Sequence, residues 1–523
     1  MPSASRPPRG PRKKRPLFRK ILIANRGEIA ARVIRTCRRL GISTVAVFSE
    51  ADRSSLHVRM ADEARPIGPA PAPESYLRIE AILEAAKRSG AEAIHPGYGF
   101  LAENPEFSQA CRDAGLAFIG PGAPAMRKLG NKIEARKRMM AAGVPVVPGL
   151  QARGLTAGRL GIWAGRNGYP FLLKAAAGGG GRGMRIVRSP GEVEAALATA
   201  MSEARSAFGD DTVFAERWIE EARHIEVQVL LDEEGRGISL GERECSIQRR
   251  HQKLVEETPS PVVDEGTRRR LGSHALKACR AAGYVNAGTV EFIRDRDGHF
   301  YFLEINARLQ VEHPVTEAVT GLDLVEAQIR IAAGEPLPVR ARVLRPRGWA
   351  LECRIQAEDP ENGFRPSPGR IGLYRPPTGP RVRVDGGVAE GDEISLYYDS
   401  LLAKLITWGG NRREAAEAMA VALSEFRIAG VPTTLSFHRR VMADPEFLRG
   451  EIDTGYAERL LSRPGPASGP EAETAALLAA AHLHLQAARR RSFSPAGDAG
   501  HWILAGREGQ PGRTFLRNPW RER

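Results

Sequence analysis

The stretch GTVEFIRDRDGHFYFLEINARLQVEHPVTE, residues 288–317, decides how this chain is read. Thr289-Val290-Glu291-Phe292-Ile293 alternates polar and apolar side chains, Asp297-Gly298 is a two-residue turn signal, and Phe300 to Asn306 resumes the alternation. The pattern predicts a β-hairpin in which Arg296 pairs with His299 and, counting outward, Glu291 lies opposite Glu304. Two carboxylates about 5 Å apart repel by roughly 3 kcal/mol at an effective dielectric of about 20. A positive partner is therefore expected between them. Strand alternation puts Glu304, Asn306 and Arg308 on the face that also carries Glu291. Two carboxylates and an amide oxygen are hard ligands, suited to Mg²⁺ or Mn²⁺ bridging phosphates. Arg308, Glu312 and His313 follow, so an anion-binding guanidinium and a candidate base lie beside the metal ligands. A solvated hairpin with an acidic outer face is the competing reading.

At 523 residues and 42% hydrophobic content the chain is long enough for two to four domains with filled cores. Cys37, Cys111, Cys245, Cys279 and Cys353 are scattered and never form a CxxC pair, so neither a disulfide framework nor a structural zinc site is indicated. A reducing cytoplasm fits. No apolar run approaches the roughly 20 residues that span a bilayer. The net charge of +15 invites a nucleic-acid reading. Arg6, Arg9, Arg12, Lys13, Lys14, Arg15, Arg19 and Lys20 supply more than half of that excess, and residues 1–16 are expected to be a disordered basic tail.

From Ile21 the order is strand, tight loop, helix, strand. Ile21 to Ala24 is apolar, Asn25 to Glu28 is a turn, Ile29 to Leu40 has helical periodicity, and Thr44 to Phe48 is a second strand. This is a βαβ unit of a parallel sheet. Ala91 to Ile94 and Phe118-Ile119 give further strands, ending in His95-Pro96-Gly97-Tyr98-Gly99-Phe100 and Gly120-Pro121, where glycine and proline shape a ligand crevice. Lys132 to Ala142 reads as a helix. Phe171 to Lys174, the run Gly178 to Gly183, and Met184 to Val187 follow. Gly178, Gly180 and Gly183 satisfy GxGxxG, but a strand rather than a helix comes next, so the run reads as a flap whose amides close over phosphates. Lys174 on the entering strand is placed to neutralise a phosphate. No Walker A sequence occurs. Gly241 to Lys253 packs charge around Gln248 and His251, read either as a solvated loop or as an anion-binding one.

These segments together resemble biotin carboxylase, an ATP-grasp ligase. The resemblance runs in order through Ile23-Ala24-Asn25-Arg26-Gly27-Glu28-Ile29-Ala30, His95 to Phe100, the glycine flap, Gln248-Arg249-Arg250-His251-Gln252-Lys253 and Gln310-Val311-Glu312-His313-Pro314-Val315-Thr316-Glu317. It covers roughly residues 17 to 460 and implies an α/β fold. An N-terminal parallel-sheet domain would span 17–130, an ATP-grasp domain 131–346 with a mobile lid about 147–220, and a C-terminal domain 347–462. Residues 463–523 form a tail of uncertain structure. By the resemblance, Lys132, Lys174, Gly180, Gly181, Glu216, Arg217, Trp218, Ile219, His224, Gln248 and His251 bind ATP, with the Glu216 segment along the adenine. Glu291, Glu304 and Asn306 hold Mg²⁺ or Mn²⁺. Lys253, Arg308, Val311 and Arg354 place bicarbonate, Glu312 deprotonates it, and Arg354 also stabilises the biotin enolate. The family's chemistry is bicarbonate attack on the γ-phosphoryl group, giving carboxyphosphate, whose breakdown delivers CO₂ to biotin.

The chain departs from the usual pattern at Asn131, Arg217-Trp218, Ala307 and Arg365, none of which removes a proposed ligand. Beyond Leu461 comes a Pro-, Gly- and Ser-rich stretch, then an Ala-rich helix from Glu471 to Arg489. Lys404 is the last lysine, so biotin is expected on a separate carboxyl carrier protein, working with carboxyltransferase subunits. A homodimer is expected, and neither membrane nor nucleic acid is an expected partner. Two rivals stay open: an ATP-grasp ligase joining a carboxylate to an amine, and a nucleic-acid-binding protein using the basic tail.

Overall fold

The computed structural model of the chain describes residues 17–151, 154–176, 184–337 and 344–464, with a few helical positions between 474 and 485. The basic tail, the glycine flap with Gly180 and Gly181, and most of the C-terminal segment lie outside the described residues. The chain divides into two units, Met1–Ser462 and Arg463–Arg523. In the second, Leu477, Leu478, Leu483 and Leu485 stand exposed on a helical segment.

The first unit opens with five strands, β1 (Lys20–Ile23), β2 (Ser43–Ser49), β3 (Glu63–Gly68), β4 (Ala93–His95) and β5 (Ala117–Phe118), all parallel in the order β3-β2-β1-β4-β5. The helix Gly27–Arg39 joins β1 to β2 and buries Ile29, Ala30, Val33, Ile34 and Cys37. Sequence alternation did not reveal β3. It carries Pro66, a residue a sheet tolerates at its edge, where β3 lies. The chain leaves β1 and β4 at Asn25 and Pro96, next to each other, and the crevice expected at such strand ends opens there.

Four antiparallel strands form a small sheet, β6 (Gly149–Leu150), β7 (Phe171–Ala175), β8 (Met184–Val187) and β9 (Val213–Arg217), in the order β6-β9-β7-β8. A large antiparallel sheet follows: β10 (Arg223–Leu231), β11 (Gly237–Arg249), β12 (Gln252–Thr258), β13 (Asn286–Arg294), β14 (Phe300–Asn306) and β15 (Trp349–Gln356). Its order is β14-β13-β10-β11-β12-β15, continued by strands Leu401–Gly409 and Val382–Gly386. One continuous sheet therefore carries the acidic hairpin, the Gln248–Lys253 segment and Arg354.

The hairpin β13–β14 does place Glu291 opposite Glu304, but not by the route counted from sequence. Asp295 N donates to His299 O at 3.0 Å, and His299 N donates to the Asp295 carboxylate at 2.8 Å. The loop is thus the three residues Arg296 to Gly298, with Gly298 at φ +87°, as three-residue hairpin loops require. Arg294 then pairs with Phe300, one residue out of the counted register. A bulge at Leu303 restores it, because Phe292 pairs with Phe302 and Glu291 with Glu304. Two offsets cancel.

The charged run from Gly241 is not a solvated loop. Glu242, Arg243, Glu244 and Ser246 are buried on β11, and only Arg250 and His251 form the turn into β12, at φ +49° and +65°. Arg243 is 0% exposed and donates to Glu226, Gln228, Thr289 and Thr316. Charge in a sequence signals solvent only when no partner is folded against it.

Candidate active site

Every described residue nominated from sequence, with the exceptions of Glu312 and His313, lines one cleft of about 1050 Å³. The strand ends at Asn25-Arg26 and Tyr98–Phe100 form one wall, the hairpin another, and Trp218 and Ile219 lie at the entry to β10.

At the inner end, Lys253 on β12 donates to Glu226 at 2.7 Å, to Glu291 at 3.0 Å and to Glu312 at 2.7 Å. Arg354 on β15 donates to Glu256 at 2.6 Å and to the other oxygen of Glu312 at 2.9 Å. Glu312 is 0% exposed, behind these two cations. Burial pushes its carboxyl up, but Lys253, Arg354 and Arg243 outweigh burial and hold it well below the usual range. The reverse balance holds for Glu256, which burial pushes up to about 7 despite Arg354. Arg308, just past β14, donates to Glu103 at 3.0 Å and to Gln310 at 2.9 Å. The Val311 carbonyl accepts from Lys404 at 2.8 Å. His313, nominated as a candidate base, is not in the cleft. It is fully buried, bonds through Nδ1 to the Gln310 carbonyl at 2.8 Å, and burial drives its pKa far down.

The facing carboxylates differ. Glu291 accepts from His224 at 2.9 Å, Lys253 at 3.0 Å, Asn306 at 2.9 Å and Gln310 at 3.2 Å. Burial pushes Glu291 up, and Lys253 and His224 override it strongly downward. Burial pulls the His224 ring down, but Glu291 lifts it above its ordinary value. No side chain among the described residues donates to Glu304, whose pKa is raised by burial and by the Glu291 charge. The expected repulsion is present: protein cations overcome it at Glu291, whereas at Glu304 Lys132 and His224 offset it only in part. An oxygen-rich pair with one carboxylate short of donors fits a hard divalent cation. Asn306 fits less directly: its amide nitrogen points at Glu291 and its oxygen accepts from Arg308 at 3.3 Å, so ligation requires the amide to turn over.

At the outer end Lys132, the first residue of the helix Lys132–Ala141, and Lys174 on β7 reach the cleft, and Lys174 donates to Glu216 at 2.6 Å. Gln248 and Lys253 are Cα partners across the β11–β12 turn, which sets His251 beside them. Sequence reasoning missed three groups: Glu103, which accepts from Ala307 N at 2.7 Å as well as from Arg308; Glu28, which meets Lys404 at 3.2 Å; and Arg136, bonded to Glu216 at 2.7 Å. Glu103 and Arg136 sit in no local pattern, Glu28 lies in the Ile23–Ala30 segment with no role assigned to it there, and the partner of each is distant in sequence.

The described residues contain no helix long and apolar enough to cross a membrane. Family comparison matches "Biotin carboxylase, N-terminal domain" over residues 17–126, "Carbamoyl-phosphate synthase L chain, ATP binding domain" over 131–340, and "Biotin carboxylase C-terminal domain" over 352–459. A biotin carboxylase from a Nostoc species is 52% identical over 444 residues, covering 85% of this chain and 99% of the relative. A biotin carboxylase of Bacillus subtilis is 50% identical over 443 residues, covering 84% of this chain and 98% of the relative. Among solved structures, the biotin carboxylase domain dimer of Hydrogenobacter thermophilus 2-oxoglutarate carboxylase, in complex with MgADP, ADP and bicarbonate, aligns with a TM-score of 0.81 at 47% identity over 86% of this chain and 100% of that one. With its parallel-sheet N-terminal domain, ATP-grasp domain and closed Lys253–Glu312–Arg354 corner, this chain belongs to the biotin carboxylase family.

Proposed function

We propose that the cleft carries out ATP- and bicarbonate-dependent carboxylation of biotin presented on a carrier protein, through carboxyphosphate. The observation that carries this is the Lys253–Glu312–Arg354 cluster directly abutting the Glu291–Glu304 pair, so an anion site and a phosphate-metal site share one cavity. Lys132 and Lys174 neutralise ATP phosphates, and Gly180 and Gly181 are further proposed ATP-binding residues. The Glu216–Ile219 segment lies along the adenine, and His224, Gln248 and His251 complete the nucleotide site. Glu291, Glu304 and, with its amide turned, Asn306 hold a divalent cation, which when bound supplies neutralising charge to the transferring phosphoryl group.

Bicarbonate is a weak nucleophile, and Lys253, Arg308, Arg354 and the Val311 backbone hold it at the γ-phosphate. Its charge draws on the two cations that depress Glu312, which returns basicity to that carboxylate. Glu312 takes the bicarbonate proton as an oxygen attacks phosphorus and the bond to ADP breaks. Carboxyphosphate separates into CO₂ and phosphate. The released phosphate takes the ureido N–H proton of biotin, and the nitrogen, with Arg354 stabilising the enolate form, attacks CO₂.

The proposed partners are a biotin carboxyl carrier protein, carboxyltransferase subunits and a second copy of this chain. The proposed division is 17–130, 131–346 and 347–462. Five free, buried cysteines suit a reducing cytoplasm. The test is ATP hydrolysis by the purified chain with Mg²⁺: turnover requires bicarbonate and rises with biotin. Turnover indifferent to bicarbonate overturns the reading and favours a ligase joining a carboxylate to an amine.

A further inference from the structure

Lys174 and Glu216 sit on neighbouring strands β7 and β9, and the 2.6 Å contact between them raises a conflict. Lys174 cannot neutralise a phosphate while it neutralises Glu216. Its departure leaves a carboxylate whose side chain is only 8% exposed, next to an incoming polyanion, and buried charges do not tolerate losing their partner. A second cation is already in place. Arg136, one helical turn after Lys132, donates to the other Glu216 oxygen at 2.7 Å and also to the Val147 carbonyl. Its side chain is 7% exposed and lines the cleft, and its Nε has no hydrogen-bond partner among the described residues. Gly149, the Cα partner of Glu216, makes the room: a Cβ there would lie 2.4 Å from the Ala215 carbonyl oxygen, 3.2 Å from the Glu216 side chain and 3.3 Å from the Arg136 guanidinium.

We propose that Arg136 is a positioning residue of the nucleotide site, the standing counter-ion of Glu216 that lets Lys174 leave that carboxylate for the nucleotide phosphates. This rests on reading the cleft as a nucleotide site. Arg136 need not touch the nucleotide. Its effect therefore falls on phosphate-bearing ligands and spares the base.

Calorimetric binding of ADP with Mg²⁺, and of adenosine, to the full chain tests this. Arg136→Met weakens ADP about tenfold, the loss expected when a charged hydrogen bond is removed, and leaves adenosine within about twofold. Arg136→Lys restores ADP binding to within about threefold of the parent. Arg136→Met combined with Glu216→Gln recovers most of the loss, because no carboxylate then needs a counter-ion. ADP binding unchanged in Arg136→Met, equal weakening of ADP and adenosine, or a double variant no better than Arg136→Met each overturns the proposal. Should Arg136→Met fail to fold, Arg136→Gln is measured in its place: ADP again weakens about tenfold with adenosine within about twofold, and ADP binding equal to that of the parent, or equal weakening of both ligands, overturns the proposal. A parent chain that binds neither ligand overturns the nucleotide-site reading itself, a separate failure.

Discussion

Glu312, behind the cleft wall, has both carboxylate oxygens in hydrogen bonds, to Lys253 and Arg354, whereas Glu304, which lines the cleft, receives none among the described residues. Glu304 lies on β14 and Glu312 just before the helix His313–Thr320, and the surrounding charge drives Glu312 far down and Glu304 up. The inner corner is closed: Glu226, Glu291 and Glu312 are matched by Arg243, Lys253 and Arg354 before any ligand arrives. The hairpin face is open, with Lys132 and His224 only partly opposing the charge at Glu304. A closed corner is preorganised for a small anion and cannot lose a member cheaply. An open face waits for charge that a ligand brings.

The largest expected effect breaks the closed corner. Glu312→Gln lowers kcat for bicarbonate-dependent ATP hydrolysis by about 10²- to 10⁴-fold, the range for losing a general base, with ATP affinity nearly unchanged. Steady-state kinetics beside calorimetry check it; equal losses in turnover and ATP affinity would mean the two ends are not separable. Next, Glu304→Gln raises the Mg²⁺ needed for half-maximal ADP binding by about 10- to 100-fold while the KM for bicarbonate stays near that of the parent chain. An unchanged Mg²⁺ requirement would remove the hairpin from the metal site.

The smallest effect sharpens the contrast between ion pairs that serve the cleft and those that serve stability. Asp52 accepts from Arg26 at 2.6 and 2.8 Å and from the Tyr76 hydroxyl at 2.6 Å. Burial pushes its carboxyl up, and Arg26 overrides this to bring it down to about 2 from 3.8. A pKa lowered by folding gives stability that is complete above the unfolded value and lost as pH falls from near 4 toward 2. Asp52→Asn removes about 2 kcal/mol at neutral pH. Thermal melts across that range should show the parent losing its advantage over the variant in acid. A constant gap would place the effect in packing rather than charge.

Strand alternation was enough to place Glu291 against Glu304, although the turn and the bulge that produce this register were invisible. Counting assumes a regular ladder, and a loop one residue longer followed by a bulge one residue long returns the same pairing at Glu291. The charged run on β11 left two readings open for a different reason. Glu242, Arg243, Glu244 and Ser246 are the same string whether they meet water or, as in the fold, Arg243 meets Glu226, Gln228 and Thr316 and Glu242 meets Arg268. His313 failed likewise: a histidine beside Glu312 looks available until the fold turns its ring into the core. Glu103 and Arg136 left no local trace, because their partners, Arg308 and Glu216, lie 205 and 80 residues away.

By itself the sequence determined the parallel start, the acidic hairpin and the residue types a bicarbonate and nucleotide site needs. These are short-range properties, set by strand and helix periodicity and by side-chain chemistry. Only the tertiary structure decided which charges are satisfied. It brought Lys253 and Arg354 from separate strands onto one carboxylate, left Glu304 without a donor among the described residues, and set Arg136 behind Glu216. A buried charge takes its energy from neighbours a few ångströms away in space, and the linear order of residues does not contain those neighbours.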